Sequence, residues 1–351
     1  MAKKKREVPE INSSSTADIA FLLLIFFLIT TSMDTDRGLA RRLPPPPEKD
    51  QKLDDAKKKE RNVLQVFLNM QDQLMCGNDY ITVDQLRAKA KEFIANPYNE
   101  DTKPEKISKN VPFFGTVQVT EGHVISLRCD RGSSYKAYMS VQNELVAAYN
   151  ELRDELAQEK WQKNYMELDQ EQQDAIREIY SQKISEAEPK KVRRKEVMGK
   201  FNKTGKRGMP ALNTSSLPDL IFTLLFFFMI VTTMREVTLK VEFKVPQATE
   251  LEKLEKKSLV TFIYVGKPTA EFRKKLGNES RIQLNDSYAE VAEIQDYIIG
   301  ERASMKEEDQ PQMTVSLKVD QDTKMGIVTD IKEALRKAYA LKINYSAQPR
   351  Q

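Results

Sequence analysis

The feature that most constrains this chain is an internal duplication. Residues 9–33 (PEINSSSTADIAFLLLIFFLITTSM) recur without a gap as residues 210–234 (PALNTSSLPDLIFTLLFFFMIVTTM), at a constant offset of 201. The likeness resumes further on, where VISLRCD (124–130) matches TVSLKVD (314–320) and NELVAAY (143–149) matches EALRKAY (333–339), now at an offset of 190. A chain of 351 residues with this pattern is read as two copies of one plan, the second with a shorter middle.

Each copy opens with an apolar run in an otherwise polar chain. Charged residues make up 31% and mean hydropathy is −0.57, yet Ile19–Ile29 and Leu220–Val231 carry no charge at all. The first run alone rises only about 17 Å as a helix, short of a hydrocarbon core of about 30 Å. That length suits a buried core helix or a signal peptide. No small-x-small cleavage site follows the first run, and the second run is internal, which argues against a signal peptide. Started at Ile11 and Leu212, each helix would extend to Met33 and Met234 and reach roughly 34 Å. The expectation is one transmembrane helix per copy.

Outside these runs the pattern alternates between strand and helix. In copy one, 63–70 and 124–127 read as strands, Thr82 to Gln85 as a capping box for a helix through Ile94, and Ser134 as the cap of a long helix. Copy two repeats this with strands at 259–265 and 314–319, a capping box at Ser287 to Glu290, and a helix bearing Ile327, Ile331, Leu335 and Ala338. The expected fold class is α+β: in each copy a transmembrane helix, an extended linker and a small α/β domain with a mixed sheet. The expected order is a basic arm (1–10), span (11–33), linker (34–62), domain (63–157) and charged helical tail (158–197). Copy two follows with arm (198–211), span (212–234), linker (235–257) and domain (258–346). Pro44 to Pro47 should be stiff and extended. Residues 241–246 read either as a spacer or as a strand whose edge would dock another chain.

Two spans of equal polarity with no crossing between them conflict in a single polypeptide. The simplest resolution is that two polypeptides are joined near Val197 and Met198.

The chemistry sits in the spans. Asp18 and Asp219 occupy equivalent positions, and a carboxylate about 10 Å inside the slab has its ionised form disfavoured and its pKa raised toward neutrality. Such a group can exchange protons with two sides in turn, which is what a relay requires. Ser15, Thr16, Ser215 and Ser216 are candidates to line the proton path, or are plain hydroxyls bonded to their own backbone. The plainer reading of the two aspartates is a helix N-cap. Cys76 and Cys129 lack CxxC spacing and His123 is the only histidine, so no metal site or cofactor is expected. A net charge of +4 gives no case for nucleic acid. No Ser-His-Asp or phosphate-loop constellation marks an enzyme.

On these residues the chain resembles the ExbD/TolR family. The anchors are the Asn- and hydroxyl-rich stretch, the aspartate, the Leu/Ile/Phe helix, and the endings LRCDRGSSYKAYMSVQNEL and LKVDQDTKMGIVTDIKEAL. Many members carry a proline a few residues before the aspartate; copy one has none close by, and Pro218 abuts Asp219. The resemblance implies a non-enzymatic subunit of a proton-motive-force-driven motor in the bacterial inner membrane, with cytoplasmic N-termini and periplasmic domains. It implies Asp18 and Asp219 as relay residues, ExbB/TolQ-like ring subunits and a TonB-like receiver as partners, and the other ExbD-like copy as dimer partner within the lipid bilayer. The competing reading is an anchored structural or cell-wall-binding module without proton transport.

Overall fold

The computed structural model describes residues 36–46, 60–187, 237–254 and 257–350. Strand β1 (Arg37–Arg42) precedes the first domain, which begins with β2 (Val63–Leu68), β3 (Leu74–Cys76) and β4 (Asp79–Ile81). Helix α1 (Val83–Ala95), the hairpin β5 (Lys106–Val111) and β6 (Gly115–Thr120), and β7 (Val124–Cys129) follow. Then come α2 (Tyr135–Trp161), α3 (Gln170–Ile179) and β8 (Ile184–Ala187). The sheet order is β4-β3-β2-β7-β8, with β2, β7 and β8 parallel and the β3 and β4 neighbours antiparallel.

The second half begins with three two-residue strands, β9 (Val241–Glu242), β10 (Gln247–Ala248) and β11 (Glu252–Lys253). Its domain holds β12 (Val260–Pro268), α4 (Ala270–Leu276), β13 (Arg281–Leu284), β14 (Ser287–Ala289) and α5 (Val291–Ser304). It closes with β15 (Thr314–Val319), α6 (Met325–Lys337), β16 (Lys342–Ser346) and β17 (Gln348–Pro349). Its sheet runs β14-β13-β12-β15-β16 and continues through β1 and β11. The two sheets therefore share one topology, and the duplication read in the sequence is a duplication of fold. Copy one differs by the β5–β6 hairpin before β7 and by α3 before its last strand.

Local chemistry accounts for the elements. Thr82 and Gln85 form the capping box of α1, and Ser134 Oγ accepts the Ala137 N–H at the start of α2. In copy two the box is Glu290 with Glu293, three residues later than the Ser287 to Glu290 box the spacing suggested, because Ser287–Ala289 is held in the ladder with β13. The stretch read as a charged helical tail continues through α3 to β8, which pairs with β7. Ala175, Ile176 and Ile179 give α3 a buried face despite its charges. The central strands turn one face to the core, where Ile263, Val265, Val315, Leu317 and Val319 are all fully buried. One apolar core runs through both copies, from Val66 and Leu127 to Leu317 and Ile343.

The expectations of a transmembrane helix per copy and of an inner-membrane location are corrected here. Among the described residues no helix is long and apolar enough to cross a membrane. Helix α2 has the length, with 27 residues, but Lys136, Glu144, Glu151, Arg153, Asp154 and Glu155 along it would each be costly in hydrocarbon. The α+β content of the described residues stands, and no span is among them. The segments 11–33 and 212–234, on which those expectations fell, lie outside the described residues.

The linkers part company. Strand β1 lies antiparallel on β16, the outer strand of the other copy's sheet, from Gly38 against Ser346 to Arg42 against Lys342. The Leu43 N–H extends the ladder to the Leu341 carbonyl at 2.7 Å, and Lys318 pairs with Asp36 at 2.8 Å. Residues 241–246 hold only β9, which pairs with the end of β12 in its own domain. The chain then passes over α2 of copy one, where the Asn143 side-chain carbonyl accepts the N–H groups of Thr249 and Glu250 at 2.8 and 3.0 Å.

Candidate functional site at the seam between the copies

Asp18, Asp219, Ser15, Thr16, Ser215 and Ser216 all lie outside the described residues. What the described residues bring together is a seam that neither copy can form alone. It is built on two loops at equivalent places, Asp130–Ser134 after β7 and Asp320–Lys324 after β15. Ser134 and Lys324, which correspond at the offset of 190, are paired in an antiparallel bridge. Around them the backbone bonds are reciprocal. Tyr135 N–H donates to the Thr323 carbonyl and Met325 N–H to that of Ser133, both at 2.9 Å. Lys136 N–H donates to the Gln321 carbonyl at 2.9 Å and Gly326 N–H to that of Arg131 at 2.8 Å.

Every donor and acceptor in that set maps onto its counterpart 190 residues away, so the seam has an approximate two-fold axis. The donors are the first N–H groups of α2 and α6, which an isolated helix leaves without partners. Each copy thus completes the start of the other's helix. At Gly326 a Cβ would sit 3.1 Å from the Arg131 carbonyl oxygen, so the approach favours glycine.

The side chains on this frame are not symmetric. Tyr135, Tyr138 and Tyr345 are buried together, with the rings of Tyr138 and Tyr345 edge to face at 5.6 Å. Beside them Lys332, on α6, forms an ion pair with Glu186, on β8. Lys332 is buried, and the Glu186 side chain is 23% exposed. Glu186 also accepts from Tyr138 Oη at 2.7 Å and from Gln142 Nε2 at 3.1 Å. Arg41, on β1, donates to Gln142 Oε1 at 2.6 Å. A second ion pair crosses the seam where Arg131 grips Asp330 with both terminal nitrogens, at 3.0 and 2.6 Å.

Burial by itself would raise the Glu186 carboxyl, but the Lys332 ammonium outweighs it and holds Glu186 below the usual carboxylate range. Burial by itself would lower Lys332, but Glu186 outweighs it and holds the lysine above its ordinary value. The pair is therefore charged on both sides. Burial also pushes Cys129 up to about 12, with Glu186 adding to it, so this thiol is not a nucleophile near neutral pH. Cys76 and Cys129 are both free.

Among the described residues no group of three or more His, Cys, Asp or Glu side chains is placed to hold a metal. Sequence reasoning passed over Glu186 and Lys332. The available signal was a lysine set among Val328, Ile331 and Leu335 on the buried face of α6, where copy one has Gln142.

The family model described as Biopolymer transport protein ExbD/TolR matches this chain twice, over residues 4–153 and 205–350. No curated protein and no solved structure gives a match.

Proposed function

Because this chain belongs to the ExbD/TolR family, whose members are non-enzymatic biopolymer-transport components that work with ExbB/TolQ and TonB/TolA partners, we propose that it is the proton-coupled subunit of a TonB-type energy transducer. The observation that carries this reading is the double family match, each half of which includes one carboxylate, Asp18 or Asp219, beside an uncharged Leu/Ile/Phe run. In this reading the two aspartates take up and release protons in turn within a ring of ExbB/TolQ-like subunits, and Ser15, Thr16, Ser215 and Ser216 line the path. Each proton moved down 100 mV releases about 2.3 kcal/mol. That is enough to drive one apolar stretch past the other.

The described fold supports a mechanical role. Strand β1 is the first described element after Asp18, and it is bonded into the sheet of the other copy. A displacement at the first apolar stretch would be delivered to copy two, and through the shared core to both domains, which then pass work to a TonB-like protein.

The test is to place Asp18→Asn and Asp219→Asn separately in the full chain, co-purify each with its ring subunits, and measure proton-dependent transport. Assembly should persist while transport is lost. Full transport in both variants would refute the relay and leave a structural module.

A further inference from the structure

Independently of the proton reading, we infer that the seam carries a charge code that makes copy one pair with copy two and disfavours either copy pairing with its own kind. Because the seam is built on an approximate two-fold axis, each side chain has a counterpart position in the other copy, and both like pairings can be written down. The strand registers place Glu186 opposite Leu127 and Tyr345 opposite Leu317, and Leu127 and Leu317 correspond at the offset of 190. Glu186 is thus the counterpart of Tyr345. By the same offset Lys332 is the counterpart of Gln142, Arg131 of Gln321, and Asp330 of Ser140.

In the unlike pair Glu186 meets Lys332 and Arg131 meets Asp330. In a pair of two copy-one domains, each Glu186 would face the other's Gln142 and each Arg131 the other's Ser140, so two part-buried carboxylates would lose their lysine partner. In a pair of two copy-two domains, each Lys332 would face the other's Tyr345 and each Asp330 the other's Gln321, so two buried ammonium groups would lose their carboxylate partner. A buried charge deprived of its partner is strongly unfavourable, whereas the paired arrangement roughly offsets its own desolvation. The gain is in selectivity more than in affinity, as in partners that reject wrong mates by leaving charges unpaired. The backbone bonds across the loops do not discriminate, since they are the same from either side. Arg131 and Asp330 add to the code less than Glu186 and Lys332, because Arg131 is 42% exposed.

The experiment uses Ser134 and Lys324 as reporters, since their bridge brings the two backbones within disulfide reach. In the full chain, Ser134→Cys alone reports contact between two copy-one domains of separate chains. Lys324→Cys alone reports contact between two copy-two domains, and the two together report the unlike pair. Bridges are identified by peptide mapping, which separates them from any made by Cys76 or Cys129. The parent chain should form the 134–324 bridge and few covalent chain dimers through either single cysteine. Glu186→Gln should raise dimers through position 134 on the order of tenfold and leave those through 324 unchanged. Lys332→Gln should do the reverse, and the double variant should raise both. Single-cysteine dimers as abundant in the parent as the 134–324 bridge would overturn the inference. So would single variants that raise both reporters equally, the signature of a seam merely loosened, or a double variant that raises neither.

Discussion

The two copies share a topology and differ at their outer strands. In copy two the last strand, β16, is covered by β1 from copy one, so its sheet continues for two more strands. In copy one the last strand of the sheet is β8, and among the described residues no strand of the copy-two linker pairs with it. Gly38 explains part of this. A Cβ there would come within 2.3 Å of the Tyr345 carbonyl oxygen, and at the offset of 201 the counterpart residue is Leu239. A leucine cannot make the approach that glycine makes, and Leu239 instead lies exposed. Duplication thus preserved the backbone bonds of the seam, while a few side chains decided which linker docks and where charge is buried.

The largest effect should come from the buried cation and its uncharged counterpart. Lys332→Ala strands Glu186 beside a tyrosine cluster and should cost about 3–5 kcal/mol in chemical denaturation. Gln142→Ala, at the mirrored position, removes hydrogen bonds to Glu186 and Arg41 but no charge, and should cost about 1–3 kcal/mol. Equal costs would break the claim that the seam is electrostatically one-sided. The sign with pH follows from the shifts. Glu186, held low, stabilises the fold above the ordinary glutamate range near about 4.3 and loses that contribution as pH falls through its folded value. Lys332, held high, stabilises below the ordinary lysine value near about 10.4 and loses that contribution as pH rises through its folded value.

Next in size is the linker strand. Gly38→Val should force β1 off β16 and cost roughly 1–3 kcal/mol, and hydrogen exchange should quicken at Ile343 and Tyr345. Leu239→Val, at the counterpart position, should change stability by no more than about 0.5 kcal/mol, as exposed substitutions usually do. Slow exchange at β16 in Gly38→Val would show that β1 is not what protects it.

Smaller still is a pH response confined to copy one. His123 is buried against Tyr149, and its Nδ1 lies 3.0 Å from the Thr120 carbonyl. Burial holds its pKa below the ordinary histidine value. The unfolded state therefore binds the proton more readily, so stability falls as pH drops below about 6.5. His123→Gln should flatten the melting temperature between pH 7 and pH 5. A slope unchanged by this substitution would assign the response to other groups.

How far these differences could be foreseen depends on the range of the forces involved. The central strands, the caps at Thr82 and Ser134, and the apolar faces of α2 and α6 follow from periodicity and local hydrogen bonding, and they were legible. The membrane-span expectation came from the apolar runs and their length against a bilayer, and no described helix meets it. Glu186 was hidden because it lies in a charged stretch whose few apolar residues, Ala175, Ile176 and Ile179, suffice to bury α3 and bring β8 back to the sheet. Lys332 shows its role only when a partner more than a hundred residues away is in place. The pairing of β1 with β16 was not foreseen, and of residues 241–246, left open between a spacer and a docking edge, only β9 forms a strand, in its own domain; alternating residues mark a strand without saying which edge it meets.

The smallest predicted effect tests whether the shared backbone frame is equivalent at its two helix starts. Ser134 Oγ caps α2 by accepting the Ala137 N–H at 3.2 Å, whereas Lys324 at the mirrored position gives α6 no side-chain cap. The reciprocal loop bonds satisfy Tyr135, Lys136, Met325 and Gly326, and the Ile327 N–H donates to the Lys324 carbonyl at 3.1 Å, so a new hydroxyl at 324 would share that third helical N–H. Lys324→Ser should therefore stabilise the chain by about 0.5–1 kcal/mol, and Ser134→Ala should destabilise it by a similar amount. If Lys324→Ser is neutral while Ser134→Ala is costly, the two loops differ in geometry and the two-fold relation stops at the bridge.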